Sequence, residues 1–184
     1  ENANFTFLMS GLTSALVESG RLYGRPNPLF SWAKAYFLSP LERSEADEMA
    51  GAIGHRMGIQ LERGALSALY EATGGHAFLY RHLASTVVQR MPVDVLQRTM
   101  RRADVLASLD DWRRTVAGNV QEMLDHVARY YPDEAFLLDT LRSDPAEFSV
   151  FVIDYPAQLE HLLRLGLIEK EDDAFELTPV LQLI

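Results

Sequence analysis

The spacing of apolar residues changes character along the chain. Phe5-Thr6-Phe7-Leu8-Met9 is a short apolar run closed by Ser10-Gly11, the pattern of a strand buried inside a parallel sheet. A lone strand leaves its backbone groups unpaired. The only other good strand candidates lie at the far C-terminus, so the pattern implies a sheet whose other strands are missing. Leu12 to Gly20 fits one amphipathic helix, after which Gly24, Pro26 and Pro28 break the chain into a loop carrying Arg21 and Arg25.

From Ser44 the pattern becomes helical. Ser44 with Asp47 resembles a capping box, and Ala46, Met49, Ala50, Ile53 and Met57 follow three- and four-residue spacing up to Gly58. A second helix is expected from about Leu61 to Ala72, with Ala65, Leu66 and Leu69 inward, stopping at Gly74-Gly75. A third carries Phe78, Leu79, His82, Leu83, Thr86 and Val87 before Pro92. Pro92 is expected to open a fourth helix through Val95, Leu96 and Met100, and the more polar stretch Arg101 to Asp111 to connect it to a second module.

Trp112, Val116, Val120, Met123 and Val127 trace one face of a long helix ending near Tyr130-Tyr131-Pro132. Ala135, Phe136, Leu138 and Leu141 trace a shorter one ending at Ser143-Asp144-Pro145. Asp154 or Tyr155-Pro156 opens a helix bearing Leu159, Leu162 and Leu163, and Gly166 closes it. Leu167-Ile168-Glu169 then faces Phe175-Glu176-Leu177 across a turn from Lys170 to Ala174. Helix, helix, helix, hairpin is the order of a winged helix. The fold class is therefore mainly α: a helical lid bundle followed by a winged helix, with an N-terminal strand left from an α/β sheet.

Composition narrows the functions. With 184 residues, 48% of them hydrophobic, two modules fit better than one helical bundle. A net charge of -9 opposes a protein that coats nucleic acid, because phosphate binding relies on excess Lys and Arg. The absence of cysteine excludes disulfides, thiolate metal sites and a Cys nucleophile, and suits a reducing, cytoplasmic setting. No apolar run approaches the roughly 20 residues of a membrane span, and the first residues lack the basic-then-apolar order of a signal peptide, so neither an anchor nor an export signal is expected. The five histidines are scattered without His-x-x-x-His spacing, so no metal site is expected.

One set of motifs carries a resemblance. Phe5 to Gly11, Leu22-Tyr23-Gly24-Arg25, Asn27-Pro28-Leu29-Phe30, Leu38-Ser39-Pro40-Leu41, Ser44-Glu45-Ala46 and Thr73-Gly74-Gly75-His76 follow one another as in the second half of AAA-like ATPases of the STAND and archaeal type. The resemblance covers the chain throughout, though each motif alone is weakly specific. It implies a first-sensor strand ending at Ser10, then a helical lid and a winged helix. It divides the chain into 1-40, a remnant of the nucleotide-binding domain; 41-108, the lid bundle; and 109-184, the winged helix. No Gly-Lys-Ser or Gly-Lys-Thr loop and no acidic residue ending an apolar strand occurs, so this segment by itself has neither a Walker A nor a Walker B site. Where the family often has Pro after the lid glycines, Ala77 stands here, which puts base recognition in doubt.

The resemblance singles out Arg25, with Arg21 beside it, as arginines that would touch a phosphoryl group. Ser10, Gly74, Gly75, His76 and Arg81 are the residues that would report on the nucleotide. The plain alternatives are solvated loop arginines, an ordinary glycine C-cap, and a surface ion pair for Arg81. His82 lies on the apolar stripe, as a core histidine would. Arg98, Arg101, Arg102, Arg113 and Arg114 interleave with aspartates, the pattern of a salt-bridged face. The recognition-helix candidates Gln158, His161 and Arg164 sit beside Glu160, and Glu169-Lys170-Glu171-Asp172-Asp173 would repel phosphate, so a protein partner is expected in place of nucleic acid.

The resemblance thus implies a regulatory and interaction segment. ATP or ADP with Mg would be held by an upstream nucleotide-binding domain and not by this segment. The rival functions are a winged-helix DNA-binding regulator and a helical protein-protein adaptor with no nucleotide role.

Overall fold

The computed structural model describes residues 20–22, 24–32, 36, 39–93, 96–171, 174–179 and 181–183. The expected strand at Phe5 to Met9, Ser10 and the helix from Leu12 lie outside them. The chain divides into two compact units, Glu1–Phe37 and Leu38–Ile184.

In the first unit the expected loop has regular structure. Strands β1 (Arg21–Leu22) and β2 (Arg25–Pro26) pair antiparallel, with Gly24 at φ 78 in the reversal, and Asn27 N donates to Gly20 O at 3.0 Å. Helix α1 (Pro28–Trp32) follows, opened by Asn27, whose buried side chain accepts from Leu29 N at 3.1 Å. Proline sits at the first helical position, where a missing N–H costs nothing. Phe30, Trp32 and Tyr36 are exposed.

The second unit is mainly helical and built on a single hydrophobic core. Helices α2 (Arg43–Arg56), α3 (Arg63–Thr73) and α4 (Ala77–Gln89) form its first part. Helix α2 starts one residue earlier than its expected cap: Glu45 Oε2 accepts from Glu42 N at 2.9 Å, so the box is closed by Glu42 and Glu45, not by Ser44 and Asp47. Its inner face runs Ala46, Ala50, Gly54, leaving Ile53 and Met57 exposed. A Cβ at Gly54 would stand 2.4 Å from Leu61 Cδ1, so the helix turns its smallest residue to the following strand.

That strand was absent from the expectations. Leu61 ends β3 (Ile59–Leu61), which pairs in parallel with β4 (Arg98–Met100), Ile59 opposite Arg98 and Leu61 opposite Met100. The expected fourth helix is therefore wrong at Met100. Leu96 is 96% exposed and does not lie on an inner face, Val95 lies outside the described residues, and Met100 is buried against the core as part of a strand. The expected connection at Arg101 to Asp111 is also corrected: it is the start of α5 (Arg102–Tyr130). Asp104 Oδ2 accepts from Arg101 N at 2.7 Å, and the face through Trp112 continues back through Ser108 and Val105. Ser108 hides that face from an apolar pattern. Its hydroxyl is satisfied by Asp104 O at 2.9 Å, so it is buried without an orphaned donor.

Helix α5 packs on α3 and α4 and also on α6 (Pro132–Ser143). Helix α7 (Pro145–Phe151), whose cap Asp144 accepts from Ala146 N and Glu147 N, leads through a short 3-10 turn (Val152–Asp154) to α8 (Pro156–Arg164). The hairpin β5 (Ile168–Glu171) and β6 (Ala174–Leu177) closes the unit, its ladder reaching Glu171 opposite Ala174 inside the expected turn. Among the described residues no helix is long and apolar enough to cross a membrane.

Candidate functional site: the glycine turn between α3 and α4

Helix α3 ends as its sequence requires. Thr73 is buried with its hydroxyl on Leu69 O at 2.7 Å, and Gly74 at φ 57 is the left-handed cap, donating to Tyr70 O at 2.8 Å. Gly75, at φ 76, is buried for a different reason: a Cβ there would lie 2.1 Å from the carbonyl oxygen of Leu41. Leu41 N donates to Gly75 O at 2.9 Å, and Tyr70 Oη donates to Leu41 O at 3.2 Å. The segment before α2 is thus clamped over the turn.

His76 caps α4. Its backbone N donates to Thr73 O at 3.1 Å, its carbonyl accepts from Tyr80 N at 2.9 Å, and its Nδ1 is buried with no hydrogen-bond partner among the described residues. Burial holds its pKa below the ordinary value of 6.5, against an opposing backbone hydrogen bond, so the imidazole is neutral at pH 7. It would contribute a hydrogen bond to a ligand and not a charge.

One consequence is measurable. Because the folded pKa is lowered, the unfolded chain binds more protons between the two values. His76's contribution to stability is whole above pH 6.5 and is lost as pH falls towards the folded pKa. Urea melts between pH 8 and 5 should show a steeper loss of stability for the parent than for His76→Asn, which keeps a good N-cap residue. Equal slopes would refute a buried neutral His76.

Beneath the turn, Tyr80 is 1% exposed and its hydroxyl has no partner among the described residues; the same holds for Asp47 Oδ1 on α2. Burial raises the phenol's pKa, the Asp47 carboxylate adds to the rise, and Arg43 opposes it. Arg43 itself lies 4.7 Å over the Tyr70 ring and donates to Ser67 Oγ at 3.2 Å. Sequence reading missed Tyr70 and Tyr80 and gave Leu41 only as part of a motif, because no local spacing links Leu41 to Tyr70, 29 residues away.

The other expected residues are distributed differently. Arg81 is exposed on α4 and pairs with no described carboxylate, contrary to the surface ion pair. Arg25 and Arg21 are exposed in the first unit, facing each other's strand in the β1–β2 ladder. His82 is half-buried with Nδ1 unpartnered among the described residues, its ring 5.8 Å from that of Phe78.

The arginines around the start of α5 are engaged by carboxylates: Arg90 with Asp111 at 2.6 Å, Arg101 with Glu62 at 3.3 Å, Arg102 with Glu71 at 3.0 Å, and Arg114 with Asp111. Of these, Arg90 and Arg101 border a cavity of about 480 Å³ whose other walls include Val87, Met91 and Thr99. Exposed pairs of this kind contribute roughly 0–1 kcal/mol each and mark a solvated face. In the C-terminal part, Glu134 and His161 form a buried pair at 2.7 Å, with Tyr131 edge-on to the imidazole. Among the described residues no three His, Asp or Glu side chains gather in a way that would hold a metal ion. No protein-family model matches the chain, and no curated protein or solved structure is significantly similar to it.

Proposed function

We propose that this chain is a regulatory and interaction segment of a STAND-like or archaeal-type AAA-like ATPase. In this reading α2 to α4 act as a lid, α5 to β6 act as a winged helix, and an upstream domain holds ATP or ADP with Mg in the cytoplasm. Arg25, Arg21 and Ser10 would lie at that domain's edge, and Gly74, Gly75, His76 and Arg81 would face the nucleotide.

One observation carries the proposal: a closed ring of contacts joins the glycine turn to both ends of the hairpin. Gly74 is backed by Pro179, since a Cβ there would meet its Cδ at 3.0 Å. The adjoining Thr178 hydroxyl donates to Gly166 O at 3.1 Å. Gly166 is backed by Pro40, where a Cβ would stand 2.7 Å from Cγ, and the next residue, Leu41, is clamped by Gly75. Close-packed contacts have discrete arrangements and do not stretch, so a shift of the turn on nucleotide exchange would move the hairpin module with it.

The DNA-binding alternative loses support at α8. His161 is held by Glu134 and Arg164 by Glu160, so two of the three groups that would read bases are engaged within the protein.

The test is titration with labelled ATP and ADP. The purified chain should show no saturable binding. The parent protein, with its nucleotide-binding part, should bind, and His76→Ala and Arg25→Ala should weaken that binding. Tight binding by this chain alone, or binding by the parent that both substitutions leave unchanged, overturns the proposal.

A further inference from the structure

The corner made by α6, α7 and the 3-10 turn exposes apolar side chains that the fold does not use. Phe136 is 47% exposed, Val150 68% and Ile153 75%. A ring contact joins the two helices, and Val150 and Ile153 lie on the segment that carries the second ring. The Phe136 ring stands edge-on to Phe151 at 5.8 Å, Phe151 lies between Val150 and Ile153 in the chain, and Val150 and Ile153 are one helical turn apart. Contiguous apolar surface rimmed by charge marks an interaction site more often than isolated exposed residues do.

The charged residues three or four positions from these apolar side chains are acidic. On α6, exposed Asp133 and Asp139 flank Phe136 at three residues either side. On α7 and its extension, exposed Glu147 and Asp154 flank Val150 at three and four residues. These spacings put each carboxylate on the same helical face as the apolar residue it flanks. The basic residue of α6, Arg142, lies in its last turn, beyond Asp139.

We propose that this corner is a docking surface for a basic amphipathic helix of a partner protein. Apolar anchors one turn apart match the i, i+3, i+4 face of such a helix, and the flanking carboxylates match lysines or arginines at its borders. Nucleic acid and anionic membrane meet only repulsion from the same rim, and a second copy of the chain would set carboxylates against carboxylates. The inference rests on the proposed reading in one respect: the C-terminal module is taken to contact protein.

The probe is a synthetic, fluorescently labelled helix with leucine at i, i+3, i+4 and i+7 and lysine elsewhere, titrated with the full chain without nucleotide. Saturable binding is expected, weakening as salt rises, and absent for the same peptide with glutamate in place of lysine. Two double variants, Val150→Ser with Ile153→Ser and Glu147→Lys with Asp154→Lys, should each lose at least about tenfold in affinity. All four residues are exposed, so melting curves matching the parent will establish that the variants fold. No saturable binding of the lysine peptide, undiminished binding by either variant, or equal binding of the glutamate peptide overturns the proposal. The absence of nucleotide separates the two ideas, since a failed ATP titration leaves this result standing and the reverse also holds.

Discussion

Gly75→Ala is expected to destabilise the second unit by about 2–5 kcal/mol, combining the cost of a left-handed conformation for an L-residue with overpacking against backbone. The obstacle is the Leu41 carbonyl, 2.1 Å from the new Cβ, with Tyr70 Cε2 at 3.1 Å. Neither is a flexible tip that can swing away, because Leu41 is held by Gly75 O on one side and by the Tyr70 hydroxyl on the other. For a domain of this size each kcal/mol lowers the melting temperature by roughly 2–4 °C, so thermal unfolding followed by circular dichroism should shift far outside error. Gly118→Ala is the control. It sits in α5 with nothing within 4 Å of the added methyl, and should be neutral or stabilising by up to about 1 kcal/mol. A Gly75→Ala protein that melts with the parent would mean that Leu41 does not close over the turn.

Trp112→Ala should cost about 3–5 kcal/mol, the range for removing a fully buried large aromatic side chain. Trp112 is 0% exposed near the middle of α5, the helix that packs on α3 and α4 as well as on α6. The loss should therefore be shared by both ends of the second unit: fluorescence from tyrosines and far-ultraviolet dichroism should report one transition at a lower denaturant midpoint. A residual transition at the parent's midpoint would show that α6 to β6 fold independently, and would sink the single-core description. Trp112→Phe is expected to be much milder. The indole N–H has no hydrogen-bond partner among the described residues, so the smaller ring removes an unsatisfied buried donor while keeping most of the apolar contact.

The sites differ in how much of them could be read in advance. Gly74 as a left-handed cap and Gly166 as a stop follow from local backbone chemistry, and the structure has both at positive φ. The burial of Gly75 arises from Leu41, which is remote in sequence, and the lack of a partner for His76 Nδ1 among the described residues is a matter of packing that no motif signals. The Glu134–His161 pair is likewise invisible to spacing rules, because 27 residues separate its members.

Helices with a sustained apolar stripe were determined by sequence alone: the stretches through Ala65 and Leu69, Leu79 and Leu83, Trp112 to Val127, and Leu138 to Leu141 are helical with those residues inward, although Phe78 and Phe136, expected on the same stripes, are 51% and 47% exposed. So was the C-terminal hairpin, because period-two alternation and a polar turn are local signals. Tertiary structure decided the rest. Strands β3 and β4 are three residues each and become strands only by pairing with each other across α3 and α4, a long-range hydrogen-bonding choice that leaves no local period to detect. The first turns of α5 are concealed by Ser108, a polar residue on a buried face whose hydroxyl is satisfied within its own helix. The inward face of α2 is chosen by Gly54, since only a residue without a Cβ lets β3 approach that closely.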